Sequence, residues 1–540
     1  MLDDAKLQIG LILENGLEEN WVNELLSKLL TKCDIKILIN VNSRMKSEIR
    51  LSSYFYRKFL IYDYQRHSKH IKNDALKTER YYERLETIAD MTMYAKSVDG
   101  SIFMDDAVTQ AISSAKLDIL LNLSPLIFPE KDVNSLIRYG VWSWFIGHSD
   151  LPLIGEISRR SSVFELGWRI CIHDKKYRYR SFNHTRMDSI YLNQNTSYWK
   201  LIAMALRCID NIVQSESHFF STIDEDDETM LPRKTPVIAV IFFVIQWFLL
   251  KINHRMINTV SYEKWMLAVA DRKENSYDFT GLDSFLVLES AKGHVLADPF
   301  LFEKNNKLYI FFEEIAANSP KGMISCAMLS DRGLENSKVI LKTNYHLSYP
   351  FVFDYEGSVF MIPESSENGT IDLYRAVNFP DEWVLDQHLM TDVRAVDTTI
   401  YYHDQLFWMF TTMASFGADL YSELFLFYSD SIRGPWHPHP KNPVISDVRV
   451  ARPAGRIYER NGVLIRPGQD CSKSYGYQIM LNQIDVLSKE DYREHIVGTM
   501  GPGWRKLNLA THTLSFSQKY VMVDVRRRIW RISKFFNNLK

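Results

Sequence analysis

Several kinds of feature are scarce in this 540-residue sequence, and each shortage excludes a class of protein. The five cysteines, Cys33, Cys171, Cys208, Cys326 and Cys471, are scattered without close pairs. That spacing fits neither a disulfide-framed secreted scaffold nor a cysteine-based zinc site, and no metal or cofactor is expected. Neither sign of charge is in excess: 64 Lys+Arg stand against 66 Asp+Glu, a formal net charge of -2. A chain-wide nucleic-acid footprint is therefore excluded. The N-terminus MLDDAKLQIGLIL opens on acids, with no basic stretch ahead of a long apolar core. No signal peptide is read there, and a cytoplasmic location is the default expectation. Long apolar runs are also scarce. VIAVIFFVIQWFLL at 237–250 falls short of the ~20 residues that a spanning helix needs.

What is present is ample material for more than one core, with 46% hydrophobic and 13% aromatic residues. From residue 7 to 150, short apolar runs (LQIGLIL, DIKILINV, LDILLNL, VWSWFIG) alternate with longer segments of helical pattern such as ENWVNELLSKLL. This alternation predicts an α/β layer with parallel strands, a Rossmann-like domain over residues 1–200. The segment STIDEDDETMLPRKTP at 221–236 collects acids and two prolines, as exposed boundaries do. A linker with helical and acidic stretches is placed at 201–262, including the apolar helix 237–250. Beyond it, short β-type runs punctuated by Asn, Asp, Gly and Pro (LYIFFEE, GMISCAML, SVFMIPES, TIDLYRAV, LFWMFTT) predict an antiparallel all-β domain over 263–525. A basic-aromatic tail is placed at 526–540.

The β region repeats. VLADPFLF, LSYPFVF, AVDTTIYY, VARPAGRIY and LATHTLSF each set a polar or aromatic residue near a strand start, at Asp298, Tyr349, Asp397, Arg452 and His512. These positions recur close to the roughly 40–50 residues of a propeller blade, so five blades are expected. The innermost strand of each blade lines the axis, and the five strand heads should converge on one axial pocket. Asp298 alone is equally well read as a strand-entry turn whose carboxylate caps nearby amides.

With ADPFLF, HLSYPFVF, MIPES, FPDEW, SIRGPWHPHPKNP, ARPAGRI, RPGQDCSKSYG and THTLSF in order, roughly residues 265 to 525 resemble a domain found N-terminally in plant glucosamine inositolphosphorylceramide transferases and bacterial relatives, where it follows a formyltransferase-like domain. More distantly, the region is similar to the five-bladed furanosidase superfamily of glycoside hydrolases. The resemblance implies a carbohydrate-handling propeller without specifying a reaction. If the axis is catalytic, Asp298, Asp397 and Glu364 are its candidate acids, because glycosidic chemistry needs two carboxyls facing across one bond. Where the furanosidase pattern supplies a Glu at a later strand head, this chain has Arg452, whose fork suits phosphate or carboxylate. Tyr349, Arg452, Arg466, Gln469, Asp470 and His512 are the candidate substrate-binding residues. Glycosyl transfer or phosphosugar recognition is expected, in assembly of a cell-surface glycan or glycolipid; a glycoside hydrolase and a non-catalytic glycan-binding module are the alternatives.

The N-terminal region resembles a formyltransferase that has lost its machinery. In GVWSWFIGHSD, Ser143 and Phe145 occupy the places of the catalytic Asn and His, with His148 and Asp150 a few residues on. Active formyl transfer is therefore not expected. The apolar segment flanked by Arg233, Lys234, Lys251 and Arg255, together with the tail VRRRIWRISKFFNNLK, suits an anionic membrane surface or a lipid-linked acceptor. A helix buried between domains is the competing reading.

Overall fold

The computed structural model describes residues 6–14, 18–42, 51–79, 89–98, 101–129, 133–149, 151–173, 175–226, 235–272, 285–330 and 333–531. Asp150, Arg233, Lys234 and the end of the basic tail lie outside these residues. The chain divides into two compact units: Met1–Ser181 with Thr185–Leu250 and Ser415–Asp419, and Phe182–His184 with Lys251–Ala414 and Leu420–Lys540.

The first unit is built on a nine-stranded mixed sheet. Its centre is parallel, with Leu7–Glu14 between Cys33–Asn42 and Ile119–Asn122, then Met91–Val98 beyond the former and Val141–Ile146 beyond the latter. Antiparallel strands extend both edges, Ser101–Phe103 on one side and Val163–Ile172 on the other. The central strands are apolar on both faces, as the run of buried residues from Ile9 to Leu13 shows, because helices cover both sides of a parallel layer. The helix Ile190–Gln214 starts where the Ser189 hydroxyl accepts from the Leu192 amide. With 18 of its 25 residues buried it is a core element, and Trp168 on the sheet donates its indole N–H to the Leu201 carbonyl. The stretch expected to be a linker thus begins inside the N-terminal core. The apolar helix is also longer than its apolar run, extending from Val237 to Val260.

The second unit is a five-bladed propeller of antiparallel sheets. The first blade comprises Val295–Lys304, Lys307–Ile315, Gly322–Ser330 and Gly333–Leu341; the second, Ser348–Tyr355, Ser358–Ser365, Thr370–Asn378 and Glu382–Thr391. The third comprises Ala395–His403, Leu406–Met413, Leu424–Ser429 and the short His437–Pro438. In the fourth the inner strand is broken into Arg452–Pro453 and Tyr458–Arg460, both pairing with Val463–Asp470, followed by Gln478–Leu487 and Tyr492–Met500. The fifth blade is composite. Its inner pieces Asn508–Ala510 and Leu514–Phe516 pair with Tyr520–Trp530, which pairs along its whole length with Ser261–Asp271, the first strand of the unit. The ring is therefore closed by strands from its two chain ends. Closure also corrects one boundary: Arg526, Arg527 and Arg528 belong to a strand of the ring and not to a tail, since each pairs with a residue of Ser261–Asp271.

Candidate functional site

Three successive inner strands begin in the same unusual way. Asp298, Tyr349 and Asp397 have φ of 51°, 44° and 54°, in the left-handed region that costs a non-glycine residue about 1–2 kcal/mol. At each the ladder skips residues, between Ala297 and Phe300, Ser348 and Phe351, and Val396 and Thr399. Such bulges re-aim side chains, and here all three head residues are buried.

The contacts of these heads run from blade to blade. The Tyr349 amide donates to Asp298 Oδ2 at 3.2 Å, linking the second blade to the first. The Tyr349 hydroxyl is 2.9 Å from Thr399 Oγ1 in the third blade and accepts from the Gly455 amide in the fourth at 2.7 Å. Asp397 holds Arg452 of the fourth blade in a two-pronged pair, with Nε at 2.6 Å from Oδ2 and Nη2 at 3.2 Å from Oδ1. Gln469 donates to the same Asp397 Oδ2 at 2.7 Å. From the fifth blade, Thr513 Oγ1 donates to Asp298 Oδ1 at 2.6 Å and His512 Nε2 lies 3.3 Å from that oxygen. Asp298, Asp397, Arg452 and His512 are therefore brought into one buried cluster, and they also stitch the blades together.

Asp524, within the apolar run VMVDV, carries no strand-head signal in the sequence. It is fully buried, accepts backbone N–H bonds from His512, Thr513 and Asp298, and stands 2.6 Å from His512 Nδ1. Burial pushes the Asp298 carboxyl up to about 7, against the pull of His512. Burial opposes charge on His512, but Asp524 and Asp298 outweigh it and raise the imidazole to about 9. Asp298, His512 and Asp524 offer three ligand-type atoms within 4.8 Å of one another. Because the Asp524 oxygens already accept three backbone bonds, the trio fits a proton-bearing network better than a metal.

Around this buried floor stand partly exposed groups. Tyr475 lies over the Arg452 guanidinium at 5.0 Å and beside the His512 ring at 5.1 Å; Tyr421 lies 5.7 Å from the same guanidinium, and Trp265 lies against the His512 ring at 4.3 Å, tilted by 40°. Glu364 accepts from Ser348 Oγ and the Ser366 amide, and burial followed by the Asp397 charge raises its carboxyl. His346, whose side chain is 33% exposed, contacts Glu313 at 3.1 Å, and that hydrogen bond raises its imidazole despite burial.

Two candidates lie elsewhere in the fourth blade. Arg466 is paired with Glu494 at 2.7 and 2.5 Å and donates to the Val450 carbonyl. Asp470 accepts from the Ser472 amide and from Gln478, shaping the turn that follows its strand. A cavity of about 440 Å³ opens at the opposite ends of the inner strands, among Glu303, Asp354 and Arg456, away from the strand heads.

A five-bladed ring with a charged axial floor and an aromatic rim defines the class of this unit. Residues 287–506 match the family model "Glucosamine inositolphosphorylceramide transferase 1, N-terminal". The chain is 43% identical over 204 residues to Glucosamine inositolphosphorylceramide transferase 1 of Arabidopsis thaliana, covering 37% of this chain and 26% of that protein. Against the protein of the same name from Oryza sativa subsp. japonica it is 40% identical over 204 residues, covering 37% and 27%. The chain thus spans about a quarter of the length of these curated relatives. Among solved structures, it aligns with the family 117 glycoside hydrolase Zg3597 of Zobellia galactanivorans at 11% identity and a TM-score of 0.33, covering 49% of this chain and 90% of that one. An exo-beta-1,3-galactanase of Phanerochaete chrysosporium aligns at 15% identity and a TM-score of 0.31, covering 40% and 53%.

Proposed function

We propose that the propeller binds a sugar at the strand-head end of its axis and serves sugar transfer in the assembly of a cell-surface glycan or glycolipid. The observation that carries this reading is the partly exposed rim of Trp265, Tyr421 and Tyr475 above the buried charges of Arg452 and His512. Aromatic faces stack on the C–H faces of a sugar ring, and the Arg452 guanidinium, held by Asp397, the Leu420 carbonyl and the Tyr475 hydroxyl, keeps one Nη1 N–H for a phosphate or hydroxyl. Glu364 and the His346–Glu313 pair are the acids and base at the edge, placed to orient hydroxyls or to accept a proton from an attacking one. The sequence relationship to the glucosamine inositolphosphorylceramide transferases supports a glycolipid setting. Hydrolysis ranks second, because the Asp397 oxygens are taken by Arg452 and Gln469 and do not face Asp298 across an open bond. The N-terminal unit is read as a formyltransferase-like layer without the reaction. Phe145 offers no proton there and lies under the Arg169 guanidinium at 5.1 Å.

The test is saturation-transfer NMR of the full chain with glucosamine 1-phosphate, together with mass spectrometry of an incubation containing an activated glucosamine donor and inositolphosphorylceramide. Saturation of the sugar protons, weakened by Tyr475→Ala and Trp265→Ala, is the expected result. Absence of both binding and product would overturn the proposal, and release of free sugar from a furanoside would replace it with the hydrolase.

A further inference from the structure

The helix Val237–Val260 turns one narrow face inward and leaves the opposite face exposed over its first half. Within the N-terminal unit, Val240, Phe243 and Trp247 are buried, at the three- and four-residue spacing of one helical face. Phe59 of the helix Leu51–His67 meets Phe243 at 5.0 Å and Trp247 at 5.3 Å, and the Trp247 indole donates to the Asp188 carbonyl. The opposite side carries Ile238, Ile241, Phe242, Ile245, Phe248 and Leu249, each 45–76% exposed. A soluble monomer rarely shows a contiguous apolar patch of more than a few hundred Å², and this stripe alone follows about three turns of helix. Tyr62, exposed and 5.9 Å from Trp247, continues the apolar surface onto the neighbouring helix.

Charge selects the occupant. No Asp or Glu lies between Val237 and Leu250. On the neighbouring helix Arg57, Lys58 and Arg66 are exposed, Arg66 reaching the Tyr62 hydroxyl, while the one acid, Asp63, is fully buried. An apolar stripe with tyrosine beside it and three exposed cations on the neighbouring helix, the half-exposed Asp188 near Trp247 being paired with Arg186 at 3.6 Å, matches the headgroup and upper acyl layer of an anionic bilayer. A protein partner would more often be met by mixed charge at the rim.

We infer that the N-terminal unit docks edgewise on an anionic membrane surface through this stripe. The inward face stays packed on Phe59, so the helix lies in the interface and does not cross it. This inference is independent of the sugar reading.

The experiment is flotation of the full chain with phosphatidylcholine vesicles and with phosphatidylcholine vesicles containing phosphatidylserine. Wild-type protein should float with the anionic vesicles and less with the neutral ones. The combined variant Ile241→Ser, Phe242→Ser, Ile245→Ser, Phe248→Ser should lose at least about tenfold in binding to either, since these side chains supply the buried apolar area. Arg57→Gln, Lys58→Gln, Arg66→Gln should weaken only the anionic case and make it insensitive to salt. Unchanged thermal unfolding of both variants would show that the inward face is intact. Wild type floating with neither vesicle, or equal flotation of the serine variant, would overturn the inference. A wild-type dimer that the serine variant converts to monomer without lipid would assign the stripe to a second copy and overturn it equally.

Discussion

Asp397 and Arg452 are both buried, so the worth of their pair depends on neither being left alone. Removing one partner of a buried ion pair typically costs 3–5 kcal/mol, whereas replacing both with apolar residues is often nearly neutral. Arg452→Met is therefore expected to destabilise the propeller by about 3–5 kcal/mol in urea unfolding, and Arg452→Met with Asp397→Leu to recover much of that loss. His512 and Asp298 supply a pH signature. Both are raised on folding, so the folded chain binds these protons more tightly and stability should fall as pH rises. Asp298 contributes its share below 3.8 and loses it through about 7; His512 contributes below 6.5 and loses it through about 9. The His512 share is worth at most roughly 3 kcal/mol. Urea midpoints measured from pH 6 to 10 should decline, and His512→Gln should flatten the decline above neutrality. A slope unchanged in that variant would show that the proton resides elsewhere.

At the scale of the strand, the bulged heads explain why polar residues stand where a core pattern would place Val or Ile. Each left-handed residue is offset by bonds to neighbouring blades, so one side chain serves both geometry and cohesion. Tyr349 shows this most clearly. Tyr349→Phe keeps the ring, which packs edge-on against Phe300 at 4.8 Å, and deletes only the hydroxyl between Thr399 and the Gly455 amide. Leaving that buried amide without an acceptor should cost about 1–3 kcal/mol, read as a lower melting temperature with unchanged circular dichroism. The same logic alters the expectation for Asp298. Its carboxylate accepts from both Tyr349 and Thr513, so Asp298→Ala should lose stability as well as any ligand binding, and a binding loss is interpretable only beside Asp298→Asn. Strand heads were legible in the sequence because their recurrence is a local pattern. Their partners were not, since the Asp298 amide and Asp524 are 226 positions apart.

For the whole molecule, closure of the ring is the event on which the axial cluster depends. Ser261–Asp271 and Tyr520–Trp530 pair over eleven residues, and Asp524 within that second strand anchors His512 and Thr513. A chain ending at Ser517 loses this strand, and with it the closing sheet and the acid behind His512. Its propeller should lose the cooperative transition of the second unit, leaving only that of the first, and should be cleaved rapidly by protease beyond Lys251, whereas in the full chain it resists. A truncated chain whose propeller still resists protease and unfolds sharply would show that four blades suffice.

Sequence alone determined the number of blades, the polar character of their heads, the antiparallel class of the second unit and the alternation of the first, because turn chemistry and apolar periodicity act over a few residues. It also marked Arg452 as the cation at the fourth strand head. Tertiary structure alone decided that Asp397 neutralises that cation, that Arg466 answers Glu494 instead of the axis, and that Asp524, Trp265 and Tyr475 stand against His512. It also decided that Arg526, Arg527 and Arg528 belong to a strand of the ring. The physical reason is common to all of these: the energy of a buried charge or an unpaired strand edge depends on what the closed ring brings beside it.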